Sequence, residues 1–368
     1  MSNQGIRIRL NGQEMEVARG TRIEELVRDL KGKMGSQIVA AVVNNEIREL
    51  TFLIEQESDI TTVDLSSDDG IRIYQRSLKF LLIKAVHDLF PDKELQVRHS
   101  VRRGVFFEIV DYKVTPEDVE RLEKRMRELV EQDHRFVKRV VPIDEARRIF
   151  LNKGREDRYR ALEFREKDYV SMYTFDDIED YFYGYMVPST GYLKLFGLAA
   201  ENDGIVLIVP KKENPTRLPD VTLPKQLFDV FTEYTNWIKI LGVEDVGRLN
   251  EVVKKGRIHE FILISEALHE KKIAQIADMI LQQKKRIILI AGPSSSGKTT
   301  FARRLGIQLR VNGLRPLNIS VDDYFVDKTQ TPLDEDGKPD YEALETVDLA
   351  FFNQSMNALL KGEEIDVP

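Results

Sequence analysis

The chain has 368 residues, which at roughly 150 residues per domain points to two or three domains rather than one small binding module. It contains no cysteine, so disulfides, thiolate nucleophiles and Cys-ligated zinc or iron–sulfur centres are excluded, and any chemistry must use oxygen, imidazole or amine groups. The 55 basic and 62 acidic side chains leave a formal charge of -7, so attraction to nucleic acid would have to come from local patches. The longest apolar runs, such as residues 287–291, fall far short of the ~20 residues of a membrane helix, and the N-terminus opens on a polar segment. No membrane association and a cytoplasmic location are therefore expected.

Residues 6–10 alternate in polarity, Asn11 and Gly12 supply a turn, and residues 14–17 alternate again, which predicts a hairpin. After Gly20, Thr21 is expected to cap a helix, with Glu24 completing a capping box and Ile23, Leu26, Val27 and Leu30 as the buried stripe. Residues 38–43 read as an apolar strand, Asn44 and Asn45 as a turn, and short alternating stretches follow around Leu53 and Val63. Strands wrapped on one helix suggest a small α+β module of β-grasp type over residues 1–68.

A second region, residues 69–224, opens with Leu78, Leu81, Leu82, Ala85, Val86 and Leu89 at helical spacing before Pro91. Thr115 as N-cap, Pro116 in the first turn and Asp118 three residues past the cap announce another helix over residues 116–131. With strands at residues 104–110 and 194–199, this block reads as a mixed α+β domain. The charge-rich helix of residues 117–139 reads as a solvated face, with an RNA-facing role as the second possibility. A proline-rich stretch, residues 210–224, looks like an ordered connector, and helical patterns at residues 225–237 and 260–283 make residues 225–283 a helical linker. Trp237, Phe228, Phe231 and Tyr234 are read as packing rather than a ligand platform. The histidines, 87, 99, 134, 259 and 269, lack tight ligand spacing and are assigned surface or packing roles.

Residues 284–368 carry the most specific pattern. The β-branched run at residues 287–291 reads as a buried parallel strand. It is followed by Gly292, Pro293, Ser294, Ser295, Ser296, Gly297, Lys298, Thr299 and Thr300, then by a helical pattern in Phe301, Leu305 and Leu309. Strand, glycine-rich turn and helix in that order form the context in which Gly-x-x-x-x-Gly-Lys-Thr cradles phosphates. Gly292 and Gly297 let successive amides converge, Lys298 brings an ammonium to the β and γ phosphates of ATP, and the Thr299 hydroxyl can coordinate Mg2+. A second strand, residues 317–321, ends in Asp322 and Asp323, with Tyr324 and Phe325 behind them. One carboxylate there would orient and deprotonate a hydroxyl acceptor, and the other, Asp323, would hold Mg2+ through water. Arg303 and Arg315 are read as surface or packing groups. No guanine-specific Asn-Lys-x-Asp element is present.

At these residues the sequence resembles the uridine kinase and phosphoribulokinase family. The resemblance implies an α/β kinase domain, incomplete at its C-terminus, that transfers phosphate from ATP to the 5′-hydroxyl of a nucleoside or related small alcohol. It further implies Asp322 as the base, Lys298 as the charge stabiliser, Tyr324 and Phe325 beside the nucleoside, and Glu345 or Asp348 at ribose hydroxyls. Thr331, Pro332, Leu333, Asp334, Gly337, Pro339, Asp340, Tyr341 and Glu342 look like that family's acceptor-side loop.

Residues 5–68, with Gly20-Thr21 and Val42, Val43, Asn44 and Asn45, resemble the TGS domain of threonyl-tRNA synthetase. The middle block resembles that synthetase's editing-like second domain, most clearly at Val187, Pro188, Ser189, Thr190 and Gly191, supported by Phe106, Phe107, Thr115 to Glu123 and Glu145-Ala146. Arg76 and Phe80 stand where the editing family has two histidines, and Phe182 and Met186 where it has a cysteine and a histidine. None of the four can supply an imidazole or a thiol, so editing hydrolysis is not expected. Considered on their own, Phe80 and Met186 are core residues and Arg76 a surface basic residue.

The stretch after Lys284 supplies too few strands and helices for a doubly wound kinase domain. The natural protein is therefore expected to continue, and this piece alone to be weakly active or inactive as a kinase and prone to self-association. The alternative to the kinase reading is a nucleotide-responsive RNA-binding or regulatory protein, with RNA as a partner of the N-terminal domains.

Overall fold

In a computed structural model that describes residues 5–101, 104–220, 225–327, 329–333, 337–341 and 343–366, with the side chains of 225–227 left out, the chain divides into two units, Met1–Lys254 and Lys255–Pro368. The first begins with the expected hairpin, β1 (Gly5–Leu10) against β2 (Gln13–Ala18). Asn11 and Gly12 take φ of 48° and 86°, the left-handed pair that lets a two-residue turn follow the strand twist. After β3 (Thr21–Arg22) come α1 (Ile23–Val27), β4 (Ile38–Val43), β5 (Glu46–Glu49), β6 (Leu53–Ile54) and β7 (Ser58–Asp64). The strands form a sheet in the order β2-β1-β7-β4-β5, with β1 parallel to β7. Ile23 and Val27 of α1 share one core with Ile8, Leu10, Ile38, Ala41 and Ile60 of that sheet.

Thr21 does not cap α1. It pairs with Ile54 in a two-strand ribbon, and its hydroxyl donates to Ala18 O at 2.7 Å. Backbone pairing has claimed the residue, so the helix starts later, lasts five residues and leaves Leu30 exposed.

The middle of the unit is built on α2 (Asp68–Leu89), capped by Ser67, whose hydroxyl accepts from Gly70 N. Then follow β8 (Leu95–Val101), β9 (Gly104–Ile109), α3 (Pro116–Glu131), β10 (Val137–Pro142), α4 (Ile143–Asn152), α5 (Glu156–Glu163), β11 (Tyr169–Phe175), β12 (Ile178–Tyr181), β13 (Gly197–Glu201) and β14 (Gly204–Ile208). Two further sheets result, β13-β14-β9-β8 and β10-β11-β12, so this is a multidomain α+β architecture. Leu78, Phe80, Leu81 and Leu82 of α2 pack with Val105 and Phe107 of β9 and Leu122 and Met126 of α3 in the largest core. The capping box at Thr115 and Asp118 forms as the sequence predicts. The charge-rich helix stops at Glu131, and residues 137–142 become a strand.

α6 (Lys225–Leu241) and α7 (Val246–Lys254) complete the unit. Phe228 is buried with Phe106 of β9, Trp237 is half-buried and Tyr234 is exposed. The sequence pattern missed α7. It packs on α5 through Gly247, where a Cβ would come within 2.7 Å of Arg160 Cβ. Residues 221–224 of the proline-rich connector lie outside the described residues.

The second unit contains α8 (Ile258–Gln282), α9 (Lys298–Val311) and α10 (Leu349–Lys361). Ile273, Ala277 and Ile280 of α8 pack against Leu305 and Leu309 of α9. Neither strand expected here forms among the described residues: residues 287–291 and 317–320 carry no regular secondary structure. Leu289 is 85% exposed and Leu317 65%. A parallel strand needs neighbours to pair its amides and carbonyls and to cover both faces. No such neighbour exists among the described residues of this unit, so the expected α/β sheet is absent there.

Candidate functional site

Three groups of side chains are candidate sites: a cleft in the first unit, the Val-Pro-Ser-Thr-Gly region, and the glycine-rich turn of the second unit.

The cleft has a volume of about 660 Å3 and lies between the end of α1 and the turn after it on one side, and the C-terminal end of α3 with residues 191–196 on the other. Its two walls are joined by Arg135, whose guanidinium makes two bonds, 2.7 and 2.9 Å, to the Glu24 carboxylate of α1. Arg28, Lys31, Arg127 and Lys194 line it beside Tyr192 and Phe196, with Glu131 and Asp133 as the acidic members. Arg127 is occupied: it donates to Glu123 at 2.6 Å and lies 4.6 Å from the Phe196 ring centroid. Asp133 is occupied too, accepting from Ser189 Oγ and from Gly191 N. Arg28, Lys31 and Lys194 are exposed, and among the described residues no hydrogen bond or ion pair engages any of their side chains. Burial and the nearby Glu24 carboxylate push the Tyr192 phenol up from its usual value. Arg28 and Lys31 lie three residues apart and Lys194 more than 160 residues on, so no local pattern flags the group.

Val187 to Gly191 are tied down by backbone bonds. Val187 N donates to Ser77 Oγ at 3.0 Å, Phe136 N to Pro188 O at 3.0 Å and Thr190 Oγ1 to Leu129 O at 2.6 Å. The motif thus clamps the end of α3 to the lead into β10. Phe80 is fully buried, with Phe136, Phe175 and Phe182 ring centroids 5.6, 5.8 and 5.0 Å away. Met186 is 1% exposed. Phe80 and Met186 are thus core residues, as their side chains predict. Arg76 differs from expectation: it is half-buried, not a surface residue, and its Nη1 donates to Tyr185 O at 2.6 Å. Its helix carries it beneath residues 184–186, where burial draws its pKa down despite the nearby Tyr173 and Glu49.

The histidines behave as packing and surface groups. His99 stacks on Phe231 at 3.8 Å between centroids, and His134 Nδ1 lies 2.8 Å from Asp176. His87, Asp88 and Asp177 come close enough to share an ion, but Lys84 bonds both carboxylates and Arg125 bonds Asp88. The cationic side chains already occupy the oxygens.

In the second unit, residues 292–297 form an exposed turn ahead of α9, with Ser295 and Gly297 at φ of 60° and 86°. A Cβ on Gly292 would sit 2.7 Å from Ser296 Oγ. Gly297 precedes α9 without a side-chain cap, so the first amides of the helix keep their donor capacity. Lys298 Nζ donates to Gly292 O and Pro293 O at 2.8 and 3.0 Å. Pro293, Ser294, Thr299 and Thr300 are exposed around it. Asp322 and Asp323 fall in a 3-10 turn, Val321–Tyr324, and are exposed.

The acceptor-side residues do not assemble into a pocket among the described residues. Tyr324 is 1% exposed and packs against Phe351 and Phe352, so it is a core residue rather than a substrate contact. Asp348 is the N-cap of α10, accepting from Phe351 N at 2.9 Å, so its carboxylate has a structural task. Glu345 and Phe325 are exposed. Asp334 and Glu342 lie outside the described residues.

No family model matches the chain. Among curated proteins, the threonine–tRNA ligase of Acidovorax sp. (strain JS42) is 32% identical over 193 residues, covering 51% of this chain and 30% of the relative. That of Janthinobacterium sp. (strain Marseille) is 31% identical over 197 residues, 52% of this chain and 31% of the relative. That of Delftia acidovorans is 36% identical over 174 residues, 46% and 26% respectively. The chain therefore spans less than a third of the length of these relatives. Their shared name overturns the expected nucleoside kinase: the similarity is to tRNA ligases, and the sheet on which Asp322 was to face an acceptor hydroxyl does not form among the described residues. About half of this chain is threonyl-tRNA synthetase-like.

Proposed function

We propose that this protein binds RNA of tRNA type through the first-unit cleft, and that ATP with Mg2+, held at the glycine-rich turn, regulates that binding. The observation that carries the reading is the set of three unpaired cations, Arg28, Lys31 and Lys194, around the cleft beside Tyr192. Unpaired cations at a concave surface attract a phosphate backbone, and an aromatic side chain among them offers a stacking face to an unpaired base. The likeness to proteins named for ligating threonine to tRNA favours RNA over other polyanions.

For the nucleotide, the turn's own residues fit the group. A Cβ on Gly292 would crowd the Ser296 hydroxyl, Gly297 is left-handed, and Lys298 already reaches two loop carbonyls from within. Gly292, Pro293, Ser294, Ser295, Ser296, Gly297, Lys298 and Thr300 would surround the phosphates, with the Thr299 hydroxyl and Asp323 as metal partners.

The deciding measurement is binding of labelled tRNA to the full chain with and without Mg-ATP. Arg28→Ala, Lys31→Ala and Lys194→Ala together should weaken binding at least about tenfold at moderate salt and flatten its salt dependence. Unchanged affinity in the triple variant would remove the cleft from the reading. Affinity indifferent to Mg-ATP would remove the regulation.

A further inference from the structure

β2 is one edge of the first sheet, with β1 as its strand neighbour among the described residues. In that antiparallel pair Leu10 faces Gln13, Ile8 faces Met15 and Ile6 faces Val17. The residues flanking a two-residue turn exchange both of their backbone bonds, and the alternation then repeats every second residue. Gln13, Met15 and Val17 therefore turn their amides and carbonyls toward β1. Asn11 N, one step beyond Leu10, bonds instead to Ile60 O of β7 at 2.8 Å, in keeping with that phase. Glu14 and Glu16 direct their backbone groups to the open side, where no strand pairs with them among the described residues.

The side chains divide the same way. Val17 lies in the core with Ile8 and Leu10, and Met15, on that face by alternation, is left 41% exposed at the edge. Glu14 and Glu16 share the other face and are exposed. Signs alternate across this face: Arg9 of β1 stands 3.7 Å from Asp59 of β7 on one side and 3.7 Å from Glu14 on the other. A cation on a further strand would continue the series. Among the described residues no ion pair engages Glu16.

A row of unpaired backbone groups is a template for another strand. A second copy of β2 suits it poorly, because antiparallel pairing about Met15 sets glutamate against glutamate, and like charges directly opposite are destabilising. We propose that the β2 edge docks an extended basic segment of a partner protein. Lysine or arginine at alternate positions would stand opposite Glu14 and Glu16, and an apolar residue between them would cover Met15. The inference stands apart from the RNA reading, since it uses neither the cleft nor the glycine-rich turn.

The test takes the full chain and two end-blocked synthetic peptides, one alternating lysine with valine, the other glutamate with valine. The lysine peptide should bind at least about tenfold more tightly than the glutamate peptide. At saturation it should slow hydrogen exchange of the Glu14 and Glu16 amides, read residue by residue by NMR. In the double variant Glu14→Lys, Glu16→Lys, with its unfolding midpoint measured alongside, the preference should reverse. Equal affinity for the two peptides, exchange slowed only elsewhere, or an unreversed preference in the double variant would overturn the docking edge. Protection of both amides without peptide, growing with protein concentration, would give the edge to a second copy and overturn the basic partner.

Discussion

Arg135, just ahead of β10, grips Glu24 of α1 through both guanidinium nitrogens, at 2.7 and 2.9 Å, across a sequence separation of 111 residues. Burial by itself would raise the Glu24 carboxyl; the Arg135 bonds and charge, with Arg22 behind them, outweigh it and hold the pKa below the usual glutamate range. The pair fixes the sheet of residues 5–64 against the domain that follows, and with it the two walls of the cleft.

Because the folded pKa of Glu24 is depressed, its contribution to stability is complete above the ordinary glutamate value and fades as the pH falls through the lower, folded value. Glu24→Gln should therefore lower stability at neutral pH, by about 1–2 kcal/mol given the half-exposed guanidinium. It should matter progressively less in acid. Urea titrations of both proteins from neutral pH down to about pH 3 would show the curves converging, and a difference that grew on acidification would contradict the assignment.

Thr115 accepts from Asp118 N at 3.3 Å, while Asp118 Oδ2 accepts from Thr115 N at 3.1 Å. Thr115→Ala should cost about 1 kcal/mol and Thr115→Ser much less, since a hydroxyl is all the cap requires. Thermal unfolding reads both, and equal losses would indicate that the methyl group's packing matters rather than the cap.

Phe80→Ala should destabilise the first unit by about 3–5 kcal/mol, because it empties a position surrounded by Phe136, Phe175 and Phe182. Phe80→His should also destabilise, burying an imidazole among rings that offer it no partner. A histidine variant as stable as the parent would mean that the aromatic cluster tolerates a polar group there.

Lys298→Ala should abolish the proposed ATP binding measured by calorimetry while leaving helix content unchanged, since among the described residues Lys298 Nζ bonds only to the carbonyls of its own loop. The α8 and α9 core of Ile273, Ala277, Leu305 and Leu309 stays intact in that variant. Retained ATP affinity would disconnect the turn from nucleotide.

Where the instructions are local, the chain alone determined the outcome. Asn11-Gly12 set a hairpin through their left-handed dihedrals, and Thr115-Pro116 with Asp118 set the start of α3 through a box closed within four residues. The same local logic failed at Thr21, where a strand partner 33 residues away competes for the backbone, and at residues 287–291, where β-branched side chains favour a strand but cannot supply its neighbours. A turn does precede α9 at residues 292–297, because glycine dihedrals and a helix start are short-range properties. The cleft was invisible beforehand: Arg28 and Lys31 are near in sequence, but Lys194 joins them only in the folded unit, where Arg135 also closes on Glu24. Charge convergence depends on distances that sequence spacing does not encode, and it was the tertiary structure that decided which cations stay unpaired.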